Sequence, residues 1–439
     1  MAESSLAIII LAAGKGTRMR SALPKVLHQI AGLPMLGHVI YTAESLSPQK
    51  IVIVAAPDQV EQFRPYTGKH EIVVQDEQLG TGHAVRCAKD ALKNFTGDVL
   101  ILYGDVPLVR PETLRRLLHK KHFVHADAAL LGFHAANPHG YGRLIATADR
   151  LIRIVEEKDA IADEREIHLC SSGLMSVSAP ALWQELSSLK NHNAQNEFYL
   201  PDILAALPHA CFTMTDESEV MGINDRAQLA AAESIWQTHR RDDAMMAGVT
   251  LQSPETIIFS PDTEIAADVT LGAHVVFGPG VTVEGGAEIL PFSHLEGCVI
   301  KSGARVGPFA RIRPGSVIGP DARIGNFVEI KNSNIGAGAK ANHLSYIGDT
   351  TVGAKANIGA GTITCNYDGI NKYKTDIGPG AFIGSNSALI APVFIGEGAI
   401  IGAGSVISKD VPSGALGIAR VVQKNIAGWA TKFFSKEQK

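Results

Sequence analysis

The sequence predicts two folded parts of different class: an α/β domain with a Rossmann-like, mostly parallel sheet, followed by a left-handed parallel β-helix of hexapeptide repeats. Three observations carry this prediction. The first part alternates short apolar runs with stretches of helical periodicity. The second part carries an aliphatic or aromatic residue on every sixth position over long runs. A length of 439 residues also exceeds what one compact core usually holds.

In the first part, residues 7–11, 51–55, 72–74 and 99–103 are short apolar runs bounded by turn residues, and each is expected to be a strand. Between them, residues 34–44 and 84–92 space their apolar side chains as helices do. The domain is expected to end near residue 226. Residues 227–247 contain no Gly or Pro and many Ala, Gln and Glu, which predicts a connecting helix stopped by Gly248.

From residue 248 to 439 the period is six. Ile265, Leu271, Phe277, Val283, Ile289 and Leu295 open the series, and after a one-residue slip Ile300, Val306, Ile312, Ile318, Ile324 and Ile330 continue it. A third run goes Ile377, Ile383, Leu389, Ile395, Ile401, Ile407. Six matches neither a helix nor a hairpin sheet, but it does match one face of a triangular prism per hexad, with the apolar residue pointing inward. Gly follows many of these positions, as at Gly319, Gly325 and Gly384, where a Cβ would clash or φ must be positive. Residues 364–376 interrupt the repeat after Ile363. Such an insertion adds no core to a solenoid and is a site candidate.

Composition narrows the partners. A net charge of -4 argues against general nucleic-acid binding, which needs a basic face. The five cysteines are scattered without a CxxC pair, which suits reduced thiols in the cytosol. The apolar run at Leu6 leads straight into Gly14-Lys15-Gly16 and is expected to be a buried strand, with no segment long enough to span a bilayer.

The motif after the first strand, Leu11-Ala-Ala-Gly-Lys-Gly-Thr-Arg-Met19 with Leu23-Pro-Lys25, suits phosphate binding. Its glycines let backbone N–H groups approach oxygens, while Lys15, Arg18 and Lys25 supply charge. Met19 stands where G-x-G-x-x-G needs its third Gly, and no Walker-type loop is present. Further strings follow in order: Gln75 with Gln78-Leu-Gly-Thr-Gly-His-Ala84, Leu102-Tyr-Gly-Asp-Val-Pro107, Gly140-Tyr-Gly-Arg143, Ile154-Val-Glu-Glu-Lys158 and Gly222-Ile-Asn224. Together they resemble the sugar-phosphate nucleotidyltransferases. With the β-helix included, the whole chain resembles the bacterial bifunctional N-acetylglucosamine-1-phosphate uridylyltransferase/glucosamine-1-phosphate N-acetyltransferase family.

That resemblance implies two activities that together make UDP-N-acetylglucosamine for cell-wall and lipopolysaccharide precursors. For uridylyl transfer it implies that Leu11, Ala12, Ala13, Gly14, Gln75, Gly80 and Thr81 hold uracil and ribose, with Tyr103 and Gly104 in the same nucleotide site. Lys25 and Arg18 would carry the phosphates, and Asp105 with Asn224 would bind Mg2+. Gly142, Glu156, Ser171 and Tyr199 would face the amino-sugar. The family's usual Asn-Thr-Gly reads Ser171-Ser172-Gly173 here, and a serine reaches less far.

For acetyl transfer, His343 in Ala341-Asn-His-Leu-Ser-Tyr346 matches the family's base. Arg313 and Lys331 match its phosphate holders, and Tyr346, Asn357, Asn366 and Tyr367 its amino-sugar binders. Ala360, Ser385, Ala403 and Arg420 match its acetyl-CoA groove. The substrates implied are UTP, glucosamine-1-phosphate, N-acetylglucosamine-1-phosphate and acetyl-CoA, acting in a homotrimer. The tail from Val421, with Trp429, Phe433 and Phe434, is expected to dock on the β-helix. The rival expectation is a single nucleotidyltransferase activity with a β-helix that only oligomerises.

Overall fold

The computed structural model describes residues 5–147 and 150–434. Its residues group into two compact units, Met1–Gln237 and Thr238–Lys439, and the division falls within the helix Arg226–Met246. That helix runs one residue off the expected span at each end, and Gly248, at φ +91°, follows it as expected of a C-terminal glycine.

The first unit is built on nine strands: β1 (Leu6–Leu11), β2 (Lys50–Ala55), β3 (Glu71–Val74), β4 (Asp98–Tyr103), β5 (Ala128–His134), β6 (Gly142–Thr147), β7 (Arg150–Val155), β8 (Leu169–Ser178) and β9 (Ala210–Met214). Their order is β3-β2-β1-β4-β8-β5-β9-β7-β6. The first four are parallel, and β8 enters antiparallel between β4 and β5, so the sheet is mixed. Alternation along β1 sends Ala7, Ile9 and Leu11 into one buried layer and Ile8, Ile10 and Ala12 into the other. Both faces are therefore covered, as the unbroken apolar runs require. The carboxyl ends of β1 and β4 are where Gly14 and Asp105 emerge, the usual place for ligands in such sheets.

The second unit stacks short strands into three parallel sheets, one strand per sheet per coil. Registers such as Leu271↔Ile289, Ile289↔Val306 and Val306↔Ile324 place the six-residue series directly above one another. All of that series is buried except Ile265, which is half-buried in the first coil. This is the β-helix the period predicts.

One expectation is narrowed and two details differ. Of the two reasons expected for glycine, close approach is the one that applies at Gly325: a Cβ there would overlap the carbonyl oxygen of Asn342 in the next coil. Positive φ falls on Gly307 (φ +103°), which follows Val306, and on a corner row of larger residues that includes Phe309 (φ +57°) and Phe327 (φ +56°). Near the insertion, Ile363 points outward and Thr364 takes the inward place opposite Leu389. The hydroxyl of Thr364 accepts the Gly348 N–H at 2.8 Å, a bond no aliphatic residue could make. Finally, the described part of the tail is not buried against its own prism. Residues 418–434 are exposed, Trp429–Phe434 form a short helix, and the last residues of the tail, 435–439, lie outside the described residues.

Candidate active sites

In the first unit a cavity of about 240 Å3 opens at the ends of β1 and β4. Leu11, Ala12, Ala13, Gly14, Lys25, Gln75, Gly80, Thr81, Tyr103 and Asp105 line it, joined by Val26, Gln78, Ala84 and Glu197. The local reasons are visible. A Cβ on Gly14 would meet nothing within 4 Å, so the backbone there faces open space. Gly16 has φ +58° and its missing Cβ makes room for Lys25, which turns the lysine toward the cavity. The Gln78 amide donates to the Ala13 carbonyl and locks the floor. Gln75 donates to the Gly80 carbonyl at 3.3 Å, and Thr81 Oγ1 accepts the Leu200 N–H at 3.0 Å.

The expected metal ligands converge. The Lys25 ammonium is paired with Asp105 Oδ2 and also donates to Asn224 Oδ1 at 3.2 Å. Asn224 reaches this point because the Ile223 N–H donates to the Asp105 carbonyl at 3.0 Å. Two hard oxygens thus face one cation, here the ammonium itself. Among the described residues no cluster of three or more His, Cys, Asp or Glu could hold a metal.

Around the cavity lie the remaining expected residues. Tyr103 is held well above its ordinary range by burial, then by the charges of Glu156 and Asp105. A Cβ on Gly173 would press 2.8 Å from that ring, and one on Gly142 would lie 3.2 Å from Glu156 Oε1. Burial, then Asp202 and Asp159, raise the Glu156 carboxyl, against the pull of the buried Arg143. Burial and the same acidic neighbours push Tyr199 up to about 12. Ser171 spends its Oγ as acceptor for its own turn, taking the Gly173 N–H at 3.1 Å. Gly104 lies beneath, its N–H donating to Leu11 O at 2.9 Å. Arg18 is placed differently: it lines a separate open depression with Arg20, Asp225 and Arg226. Lys15 lines another, beside Asp58 and Asp76.

In the second unit the corner between two sheets carries a single row of left-handed residues: His274, Phe292, Phe309, Phe327, Leu344, Gly361, Asn386 and Gly404. The rings of the first four stack at 4.7, 4.9 and 5.2 Å, the spacing of neighbouring strands. At Leu344 the row changes from large apolar side chains to Gly and Asn. The positions expected for acetyl-CoA follow this small-residue stretch. The Ala360 carbonyl accepts the Asn386 N–H at 2.8 Å, the Ser385 carbonyl accepts the Gly404 N–H at 2.8 Å, and Arg420 Nη1 donates to Ala403 O at 2.6 Å.

His343 stands where the row changes. Its Nδ1 lies 2.8 Å from Asn326 Oδ1 one coil below, an acceptor to which the ring donates in the tautomer protonated at Nδ1. The same coil continues into Tyr346. On the adjoining face, Arg313 pairs with Glu329 at 2.8 Å, and Lys331 lies 3.5 Å from Asp349. Asn366 donates to the same Asp349, while Tyr346 and Asn366 both crowd the place a Gly348 Cβ would occupy. Lys372, on the insertion, is depressed by the adjacent Lys331, first through a hydrogen bond and then through its charge. Arg313, Lys331, Lys372, Tyr346 and Asn366 therefore form one cationic, polar cluster. Tyr367 stays exposed with its hydroxyl on Gly369 O, and Asn357 sits in the sheet beside Lys340. Asn326 and Lys372 were not singled out from sequence. Asn326 was findable, because it is the register partner of His343 one coil back.

Comparison with known proteins decides the family. Residues 8–189 match the MobA-like NTP transferase domain, and residues 297–332 and 374–409 match the bacterial transferase hexapeptide repeat. Over the full chain the sequence is 51% identical to the bifunctional protein GlmU of Paramagnetospirillum magneticum, covering 98% of that protein. It is 53% identical to the GlmU of Sphingopyxis alaskensis (98% covered) and 51% identical to that of Zymomonas mobilis (99% covered). The chain belongs to the bifunctional GlmU family. Membership in the GlmU family accounts for the pairing of a nucleotidyltransferase fold with a hexapeptide acyltransferase fold in one polypeptide. The segments matched by the two domain models do not include Tyr199, Asn224 or His343, which the full-length relatives span.

Proposed function

We propose that the chain acetylates glucosamine-1-phosphate from acetyl-CoA in its β-helix and then transfers a uridylyl group from UTP to N-acetylglucosamine-1-phosphate in its first unit, releasing pyrophosphate. The single observation that carries the reading is the convergence of Asp105, Asn224 and Lys25 at the rim of a glycine-turn cavity.

In the first reaction, His343 Nε2 removes a proton from the sugar ammonium, the freed amine attacks the thioester carbonyl, and the C–S bond breaks to leave CoA thiolate, which takes up a proton. Arg313, Lys331 and Lys372 hold the sugar phosphate, and the small-residue corner leaves room for the CoA arm. In the second reaction, a sugar-phosphate oxygen attacks the α-phosphorus in line while Lys25 and the N–H groups of the glycine turn neutralise the phosphates. Asp105 and Asn224 fit Mg2+, which takes few protein oxygens and completes its shell with phosphates and water. When bound, Mg2+ would supply neutralisation of the polyphosphate. Arg18, which lines its own depression, would add a second cation for the triphosphate.

The half-exposed stack of Phe292, Phe309 and Phe327, at 51%, 45% and 56%, supports assembly of β-helices side by side, and we read that assembly as a homotrimer. Among the described residues no helix is long and apolar enough to cross a membrane, and all five cysteines are free, which goes with a cytosolic location. Coupled assays of pyrophosphate release and CoA thiol release on purified protein test the reading. Two activities support it, whereas pyrophosphate release alone favours a β-helix that only oligomerises.

A further inference from the structure

The acetyl-transfer cluster contains one side chain to which no role has been given, although several others meet on it. Asp349 follows the strand Tyr346–Gly348 in a left-handed conformation (φ +50°) and is buried. Its Oδ1 accepts from Asn332 Nδ2 at 2.7 Å. Its Oδ2 accepts from Asn366 Nδ2, and the Lys331 ammonium stands 3.5 Å from the same oxygen. The turn is anchored at both ends: the Asp349 N–H donates to Lys331 O at 3.0 Å, and the Thr375 N–H donates to Asp349 O at 3.3 Å. The carboxylate thus touches the phosphate-holding face on one side and the insertion on the other.

We propose that Asp349 is the positioning residue of the acetyl-transfer site, setting Lys331 against the sugar phosphate and turning the Asn366 amide so that its oxygen faces the amino-sugar. This rests on the acetyl-transfer reading given above. The chemistry follows from donor and acceptor counting. Three donors, two amide NH2 groups and one ammonium, meet at this point, and only a carboxylate offers acceptors to all three without presenting a donor. Because Asn366 commits its Nδ2 to Asp349, its Oδ1 is the atom left for a ligand N–H or O–H. An asparagine at 349 would have one oxygen and would set its own NH2 against another donor. The Asn366 amide would then flip, and Lys331 would lose its anchor.

The charge matters as well as the shape. Burial by itself would raise the Asp349 carboxyl, but the amides of Asn332 and Asn366 and the charge of Lys331 hold it below the usual range, so it is ionised. An ionised carboxylate here also offsets the mutual repulsion of Lys331, Lys372 and Arg313 before the phosphate arrives.

The test is steady-state acetyl transfer by the full-length chain, with KM measured separately for glucosamine-1-phosphate and acetyl-CoA, together with thermal unfolding. Asp349→Asn is expected to raise the sugar-phosphate KM about tenfold, the usual effect of losing a hydrogen bond to a charged group, with the acetyl-CoA KM within about twofold. Asn332→Ala removes only the Oδ1 contact and is expected to leave the sugar-phosphate KM near wild type. The proposal is overturned if Asp349→Asn leaves that KM unchanged, if both KM values rise together, or if Asn332→Ala raises the sugar-phosphate KM equally. Loss of cooperative unfolding in Asp349→Asn would assign the residue to folding and overturn the proposal too. A wild-type protein without acetyl transfer would instead defeat the underlying reading.

Discussion

Gly325→Ala separates the two reactions through one methyl group. Gly325 lies next to Asn326, and in the coil above it Asn342 lies next to His343. A Cβ at 325 would overlap the Asn342 carbonyl oxygen and come within 2.6 Å of its carbonyl carbon, where ordinary contact begins at 3.4 Å. Relieving the contact with that carbon alone needs a shift of about 0.8 Å, and the oxygen, which overlaps more, requires the neighbouring coil to move further. Gly325 has no positive φ, so alanine adds no backbone strain of its own and the displacement is the whole effect. That movement pulls His343 away from Asn326, now 2.8 Å distant, and from the bound amine. A misplacement of about 1 Å at a reacting group costs on the order of a hundredfold in rate. Overpacking of this kind costs about 1–3 kcal/mol, which lowers the unfolding midpoint of a domain of this size by roughly 2–12 °C. CoA-thiol release should fall by about two orders of magnitude while pyrophosphate release stays at the wild-type rate. Full acetyl transfer by Gly325→Ala would refute the argument that inter-coil contact positions the base.

Other outcomes follow from the same geometry. Asp105→Ala should abolish UDP-sugar formation and spare acetyl transfer, as read by pyrophosphate and CoA release on one sample. It removes one of the two oxygens proposed for Mg2+ and leaves the Lys25 ammonium without its carboxylate. His343→Ala should lose acetyl transfer with uridylyl transfer preserved, and equal loss of both would mean misfolding. Glu156→Gln tests a stability effect whose sign is fixed by the raised carboxyl. The folded state holds the Glu156 proton more tightly than the unfolded chain, so this group costs stability as pH rises above the usual glutamate range. The variant should unfold at a higher temperature than wild type at pH 8, and the gain should vanish near pH 4. Its KM for N-acetylglucosamine-1-phosphate should rise about tenfold.

The two fold classes were legible in the sequence because each rests on a period that burial enforces. Unbroken apolar runs at β1, β2 and β4 require a sheet covered on both faces, and an aliphatic residue every six positions requires a three-sided prism. The glycine turn and the place of Asp105 at its rim were also legible, since close approach to a ligand restricts residue type locally. The tertiary structure decided what depends on neighbours far apart in the chain. The antiparallel entry of β8, the outward turn of Ile363 and the placement of Arg18 in a separate depression all follow from packing partners that no local window contains. The pairing of Asn326 with His343 and the meeting of Lys331, Asn366 and Lys372 around Asp349 arise only once coils are stacked. A solenoid brings together residues one turn or more apart, and hydrogen-bond geometry, which acts over about 3 Å, then selects which of them interact.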